Sequence, residues 1–197
     1  MAITIRKIAC PEPPVGADLM KTGQTTSYRT GDDGDIEAGR DVDFFTLSAN
    51  NPFGNTNRFT DELGGQTYTN DIVIDWSTYN GTTVLGYYRV SLGLFNWNDA
   101  IDACLSHTIG TFTSGWRLWN IKEANNVLTS EYTNNALEYS PFNQTRIYVW
   151  TSNTNSTGTT QALRIDRFLH IQAYVGKTLL QSCIAVRTFT VTGTTLT

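Results

Sequence analysis

From Asp71 onward the apolar residues change their spacing twice, and that change limits the folds open to the chain. Ile72, Ile74 and Trp76 alternate with Val73 and Asp75; Asn80-Gly81 then marks a turn before Val84-Leu85-Gly86-Tyr87-Tyr88. This is the pattern of a β-hairpin. The period then lengthens. Trp97, Ala100, Ile101, Cys104 and Leu105 fall on one helical face, with Asn96 as cap and Asp99 in the first turn. A second helix opens on Asn120 and Glu123, a capping-box pair, with Ile121, Ala124 and Leu128 on one face. After Pro141 the spacing returns to strands, predicted at 146–150, 163–165, 169–175 and 180–186, with Phe189 and Val191 alternating with Thr beyond them. Strands, two helices, then strands predict an α+β fold.

The rest of the chain sets the domain plan. Its 197 residues suit one compact domain. Residues 1–20 read as a short strand (Ile3, Ile5, Ile8) followed by Cys10-Pro11-Glu12-Pro13-Pro14, a stiff arm suited to reaching a neighbour. Residues 21–64 are dense in turn signals such as Gly31-Asp32-Asp33-Gly34-Asp35 and Asn50-Asn51-Pro52-Phe53-Gly54. The organisation expected is an arm at 1–20, a domain at 21–190 and a tail at 191–197. Only 16% of residues are charged and the net charge is -4, whereas Thr numbers 31, Asn 16 and Gly 16. That balance offers no electrostatic footprint for nucleic acid or an anionic membrane. No apolar stretch approaches the roughly 18 residues of a membrane-spanning helix, and Met1 to Pro14 holds no signal-peptide core. The expectation is a protein made in a cytosol that leaves it by lysis or a non-standard route.

Motifs for catalysis or metal binding are missing from the text. His107 and His170 are far apart, and no HxxxH, HxH, CxxC or GxSxG occurs. Neither catalytic residues nor a cofactor is expected. Asp33, Asp35 and Glu37, within the stretch Asp32 to Glu37, have the alternate spacing of a calcium loop. Ala38 and Phe44 stand where such a loop needs its glycine and closing glutamate, so a solvated turn is the better reading. Cys10, Cys104 and Cys183 are too scattered for a disulfide scaffold and read as buried thiols. Aromatic faces stack on sugar rings, and Asn and Thr orient hydroxyls. Trp76, Trp97, Trp116 and Trp150 sit in periodic apolar segments and read as core, with Trp119 the exposed one. The segments 139–143 and 150–155 nevertheless combine aromatic, amide and hydroxyl groups, which gives a candidate ligand-binding set of Trp119, Tyr139, Asn143, Trp150, Asn153 and Asn155.

An ordered series of motifs adds a resemblance. Lys21-Thr22-Gly23-Gln24-Thr25-Thr26-Ser27-Tyr28, Thr30-Gly31-Asp32-Asp33-Gly34-Asp35 and Arg58-Phe59-Thr60-Asp61 come first. Trp97 with Ala100 and Cys104, Trp116-Arg117-Leu118 with Asn120, Lys122 and Glu123, Tyr148-Val149-Trp150-Thr151-Ser152, and finally Cys183 to Arg187 follow. Over roughly 21–190 the chain resembles the C-terminal domain family of collagen-like bacterial adhesins, found in bacteria and phages. Trp119 stands in place of that family's proline, and Ala124 in place of its leucine. The resemblance implies a C-type-lectin-like fold, two helices flanking a small twisted antiparallel sheet, here with an extended N-terminal arm. It also implies that Cys104 and Cys183 are neighbours able to form a disulfide; lectin calcium triplets of the EPN or QPD type are absent. The function expected is a non-enzymatic structural or adhesion protein of a virion appendage (phage tail, fibre or capsid accessory), homo-oligomeric. Its expected partners are other virion proteins and a host-surface glycan or protein. The alternative is an extracellular glycan-binding adhesin module at a bacterial surface. An enzyme related to sulfatase-modifying variants of the fold lacks the reactive cysteine pair or metal it would need.

Overall fold

The computed structural model describes residues 27–30, 35, 45–47, 49–128, 141–142, 148–167 and 171–197. The arm at 1–20, all of the acidic turn at 32–37 except Asp35, and Tyr139 and Asn143 lie outside the described residues.

Local signals decide the elements. The Asn80-Gly81 turn joins β2 (Ile72–Asp75) to β3 (Thr83–Tyr88), paired antiparallel with Ile74 opposite Gly86, and β1 (Phe59–Thr60) lies on the far side of β2. Asn80 Oδ1 accepts from the Thr82 and Thr83 amides, which fixes the turn. After the two-residue strand β4 (Leu94–Phe95), helix α1 (Trp97–Leu105) starts where Asn96 Oδ1 accepts from the Asp99 amide. It buries Ala100 and Cys104, while Leu105, expected on the same face, is exposed. Beyond β5 (Arg117–Leu118), helix α2 (Ile121–Val127) carries the full capping box, Asn120 and Glu123 each bonding the other's backbone N–H. The remaining strands are β6 (Tyr148–Thr154), β7 (Gln161–Asp166), β8 (Ile171–Gly176), β9 (Gln181–Ser182), β10 (Ala185–Thr192) and β11 (Thr195–Leu196).

The assembly of these elements corrects the expected fold. In place of a small sheet flanked by two helices, the protein is mostly β and built from two sheets. One runs β1-β2-β3-β10-β11 with β5 also on β10; the other runs β4-β9-β6-β7-β8. The physical reason is non-local pairing. β10 takes β3, β5 and β11 as partners, and the two-residue strands β4, β5, β9 and β11, too short to show a period, complete the sheets. Among the described residues the two α-helices are only 9 and 7 residues long. Residues 191–197, expected as a tail, complete β10 and fold back as β11, with Leu196 buried.

Tryptophan indoles tie neighbouring elements to β6 and β4. Trp119 Nε1 donates to the Trp150 carbonyl at 2.6 Å, Trp150 Nε1 to that of Phe95 at 3.0 Å, and Trp97 Nε1 to that of Thr151 at 2.8 Å. Trp119 and Trp150 are buried in the core and Trp97 packs against it, and each ring's one donor is satisfied by backbone of a neighbouring element. Beneath α2, Arg58 is fully buried and grips Asp75 through both carboxylate oxygens at 2.8 Å, while one Nη also donates to the Asn126 carbonyl at 2.7 Å. Asp75 accepts further from Asn126 Nδ2 and from the Ser77 amide and hydroxyl. This polar knot ties β1–β2 to α2.

Candidate functional site: a groove between three loops

The four sequence-predicted ligand residues that are described, Trp119, Trp150, Asn153 and Asn155, do not form a surface site. Trp119 and Trp150 are completely buried, so neither ring is open to a ligand, and the expectation that Trp119 is exposed is overturned. Its burial follows from the indole bond to β6, a contact between residues 31 positions apart. Asn153 Oδ1 accepts from the Ile121 amide and so holds the start of α2. Asn155 closes its own turn, accepting from the Thr157 amide and hydroxyl while donating to Gln161 Oε1 at 2.9 Å. Both amides are spent on structure.

A different set converges at one end of the first sheet, from three loops. The first loop, 61–71, is organised around the buried carboxylate of Asp61. Its Oδ1 accepts from the Leu63 and Gly65 amides, at 3.0 and 2.8 Å, and its Oδ2 from those of Thr67 and Tyr68, at 3.2 and 3.3 Å. Gly64 is required within it: φ is +83°, and a Cβ there would sit 2.3 Å from the Phe53 ring. Tyr68 and Asp71 hold φ of 55° and 54°, a left-handed backbone that costs on the order of 1 kcal/mol or more per residue and persists because the surroundings enforce it. Those surroundings are specific. Tyr68 is buried, and its hydroxyl donates to the Phe59 carbonyl at 3.3 Å. Burial first, then the Asp61 charge, pushes the phenol up to about 12. Asp71 pairs with Arg89 at 2.7 Å.

The second loop, 106–116, leaves α1 and returns as β5. Ile109 and Phe112 bond each other's backbone around Gly110, and Trp116 Nε1 donates to the Phe112 carbonyl at 3.0 Å. The Phe112 ring rests edge-on against Phe189 at 4.9 Å, with the Arg187 guanidinium 5.0 Å above it. His107 lies in the same loop, 4.4 Å from the Tyr88 ring and 5.1 Å from that of Trp116. The third loop is the β10–β11 hairpin, which turns at Gly193 and presents Thr194 and Thr195.

Between these loops lies a groove of about 390 Å³, lined among others by Glu62, Asn70, Thr111, Phe112, Thr194 and Thr195. Glu62 is its chemical centre. The side chain is 9% exposed; Asn70 Nδ2 donates to one carboxylate oxygen, and the other, also buried, has no hydrogen-bond partner among the described residues. A buried acceptor left unpaired is costly, on the order of 1–3 kcal/mol. Beside it stand the exposed hydroxyls of Thr111, Thr194 and Thr195, one aromatic ring, and Leu63, which is 79% exposed at the rim. A hard divalent cation takes six or more oxygens, several from carboxylates. The groove lining holds one carboxylate, set among amide and hydroxyl groups, and these match the hydroxyls of a neutral polyol.

Compared with known proteins, the chain matches no family model and no curated protein. Among the described residues no three His, Cys, Asp or Glu side chains gather as a metal site, and no helix is long and apolar enough to cross a membrane.

His107 gives the site a measurable pH response. Burial lowers its pKa below the ordinary imidazole value, so the folded protein favours the neutral ring. Both states are neutral above the unfolded pKa, about 6.5. As pH falls through that value the unfolded chain takes the proton first, and stability drops until the folded pKa is passed. His107→Gln is expected to lose less melting temperature than the parent between about pH 7.5 and pH 5.5; equal losses in thermal melts of both would contradict the assignment.

Proposed function

We propose that this chain is a non-enzymatic contact module of a virion appendage, and that its three-loop groove grips a neutral, polyhydroxylated ligand such as a surface saccharide. One observation carries the reading: Glu62, a buried carboxylate with one oxygen lacking a donor among the described residues, lines a groove edged by an amide, threonine hydroxyls and one aromatic ring. Sugar hydroxyls supply the missing donor, and Phe112 offers a face for the apolar C–H edge of a ring. Rigid loops on a β scaffold suit such display, since positions fixed before binding cost less to order. The weakly charged composition, rich in Thr and Asn, and the motifs that resemble those of the adhesin C-terminal domains support a virion reading.

The test is sedimentation of the purified full chain with host-cell envelopes. Glu62→Gln replaces one acceptor oxygen by a donor; a hydrogen bond to a charged group contributes about 1.5–3 kcal/mol, so affinity should fall about 10- to 100-fold. Thr111→Trp, at an exposed position, should block the groove while leaving the melting temperature unchanged. Envelope binding unaltered in both variants, or absent in the parent, would overturn the reading.

A further inference from the structure

We infer that the outer edge of β8 is a self-association surface, through which two copies of this chain join their second sheets into one continuous sheet of ten strands. β8 closes that sheet on one side only. Its inner edge pairs with β7 over all six residues, from Gln161 opposite Gly176 to Asp166 opposite Ile171, and no described strand takes the outer edge. Proteins usually protect such an edge with charge, proline, a bulge or brevity. Ile171-Gln172-Ala173-Tyr174-Val175-Gly176 has no charge, no proline and no break in register. The adjacent cation, Lys177, is drawn aside, its Nζ 4.2 Å from the Trp97 ring. Ile171 and Tyr174 are 53% and 48% exposed.

Symmetry argues that the occupant is a second copy. Two antiparallel strands related by a two-fold axis normal to the sheet keep their faces, so opposed residues have the same parity and the axis passes through a residue. With the axis at Ala173, the smallest side chain meets itself. Ile171 then faces the partner's Val175, two β-branched residues in contact, and Gln172 faces the partner's Tyr174. Each pairing occurs twice, and no like charges meet. Cross-strand pairs of this kind are the unit of sheet stabilisation.

Sedimentation velocity of the full chain over a concentration series should show a reversible dimer. Gln172 and Tyr174 are both exposed; Gln172 Nε2 donates to Asn125 Oδ1 on α2 at 3.3 Å, an exposed contact that both variants lose alike, so the difference between them reads the pairing across the axis. The double variant Gln172→Glu/Tyr174→Glu places like charges opposite each other twice and should weaken the dimer at least about tenfold. Gln172→Lys/Tyr174→Glu places opposite charges in the same register and should keep it. Circular dichroism of the monomers confirms that both variants fold. A parent that stays monomeric overturns the inference, as does a dimer insensitive to both variants or one that both weaken equally.

Discussion

Replacing Arg58 with alanine is expected to destabilise the protein by about 3–5 kcal/mol, because it strands the buried carboxylate of Asp75. Arg58 meets both oxygens of Asp75 and also the Asn126 carbonyl, so one truncation opens the contact between β1–β2 and α2. At about 2–4 °C per kcal/mol for a chain of this size, the melting temperature should fall by roughly 6–20 °C. Asp75→Ala should cost a similar amount from the other side. The double variant Arg58→Met/Asp75→Val should recover much of the loss, since removing both charges also removes their desolvation cost. Recovery should stay incomplete: Ser77 and Asn126 also donate to Asp75 and would lose their acceptor. Thermal melts of the three variants decide the matter, and a loss under about 1 kcal/mol for Arg58→Ala would mean the pair behaves as an exposed one.

Oxidising the chain during refolding is expected to raise its stability by about 4 kcal/mol through a Cys104–Cys183 disulfide that closes a loop of about 80 residues. Both thiols are fully buried, one on α1 and the other just before β10. The neighbouring Cys183 thiol, together with burial, pushes the Cys104 thiol well above the ordinary thiol range. Attack requires a thiolate, so the folded protein should resist oxidation, and the bond should form when the chain refolds with oxidised glutathione. Two thiols then lose their hydrogens to the oxidant, which leaves as two molecules of reduced glutathione. Intact mass should show the loss of two hydrogens, and the melting temperature should rise by roughly 10 °C. Cys104→Ser should show neither. A bond formed without a rise in stability, or refolding that leaves both thiols free, would count against this pairing.

The chain's local chemistry was readable in advance, and its long-range chemistry was not. Asn96 and Asp99 at α1, the Asn120–Glu123 box at α2 and the Asn80-Gly81 turn each act within a few residues, so spacing alone located them. The two-sheet arrangement depends on β10 meeting β3, a pairing across roughly 100 residues that periodicity does not encode. The same limit explains Trp119, whose partner is a carbonyl on β6. Asn153 and Asn155 had the residue types of a ligand site but are consumed by a helix start and a turn. The groove draws on positions 62, 70, 111, 112, 194 and 195, which meet only through the sheet. Asp61-Glu62-Leu63-Gly64-Gly65 was its one local signal, an acidic residue set before a glycine pair that the fold turns into a rigid loop.

Amide chemical-shift mapping of the full chain against a panel of neutral oligosaccharides tests the central claim most directly. The account predicts saturable shifts confined to Leu63, Asn70, Gly110 to Phe112 and Thr194 to Leu196, lost in Glu62→Gln. Shifts centred instead on the 150–155 segment, or no shifts from any member of the panel, would contradict it.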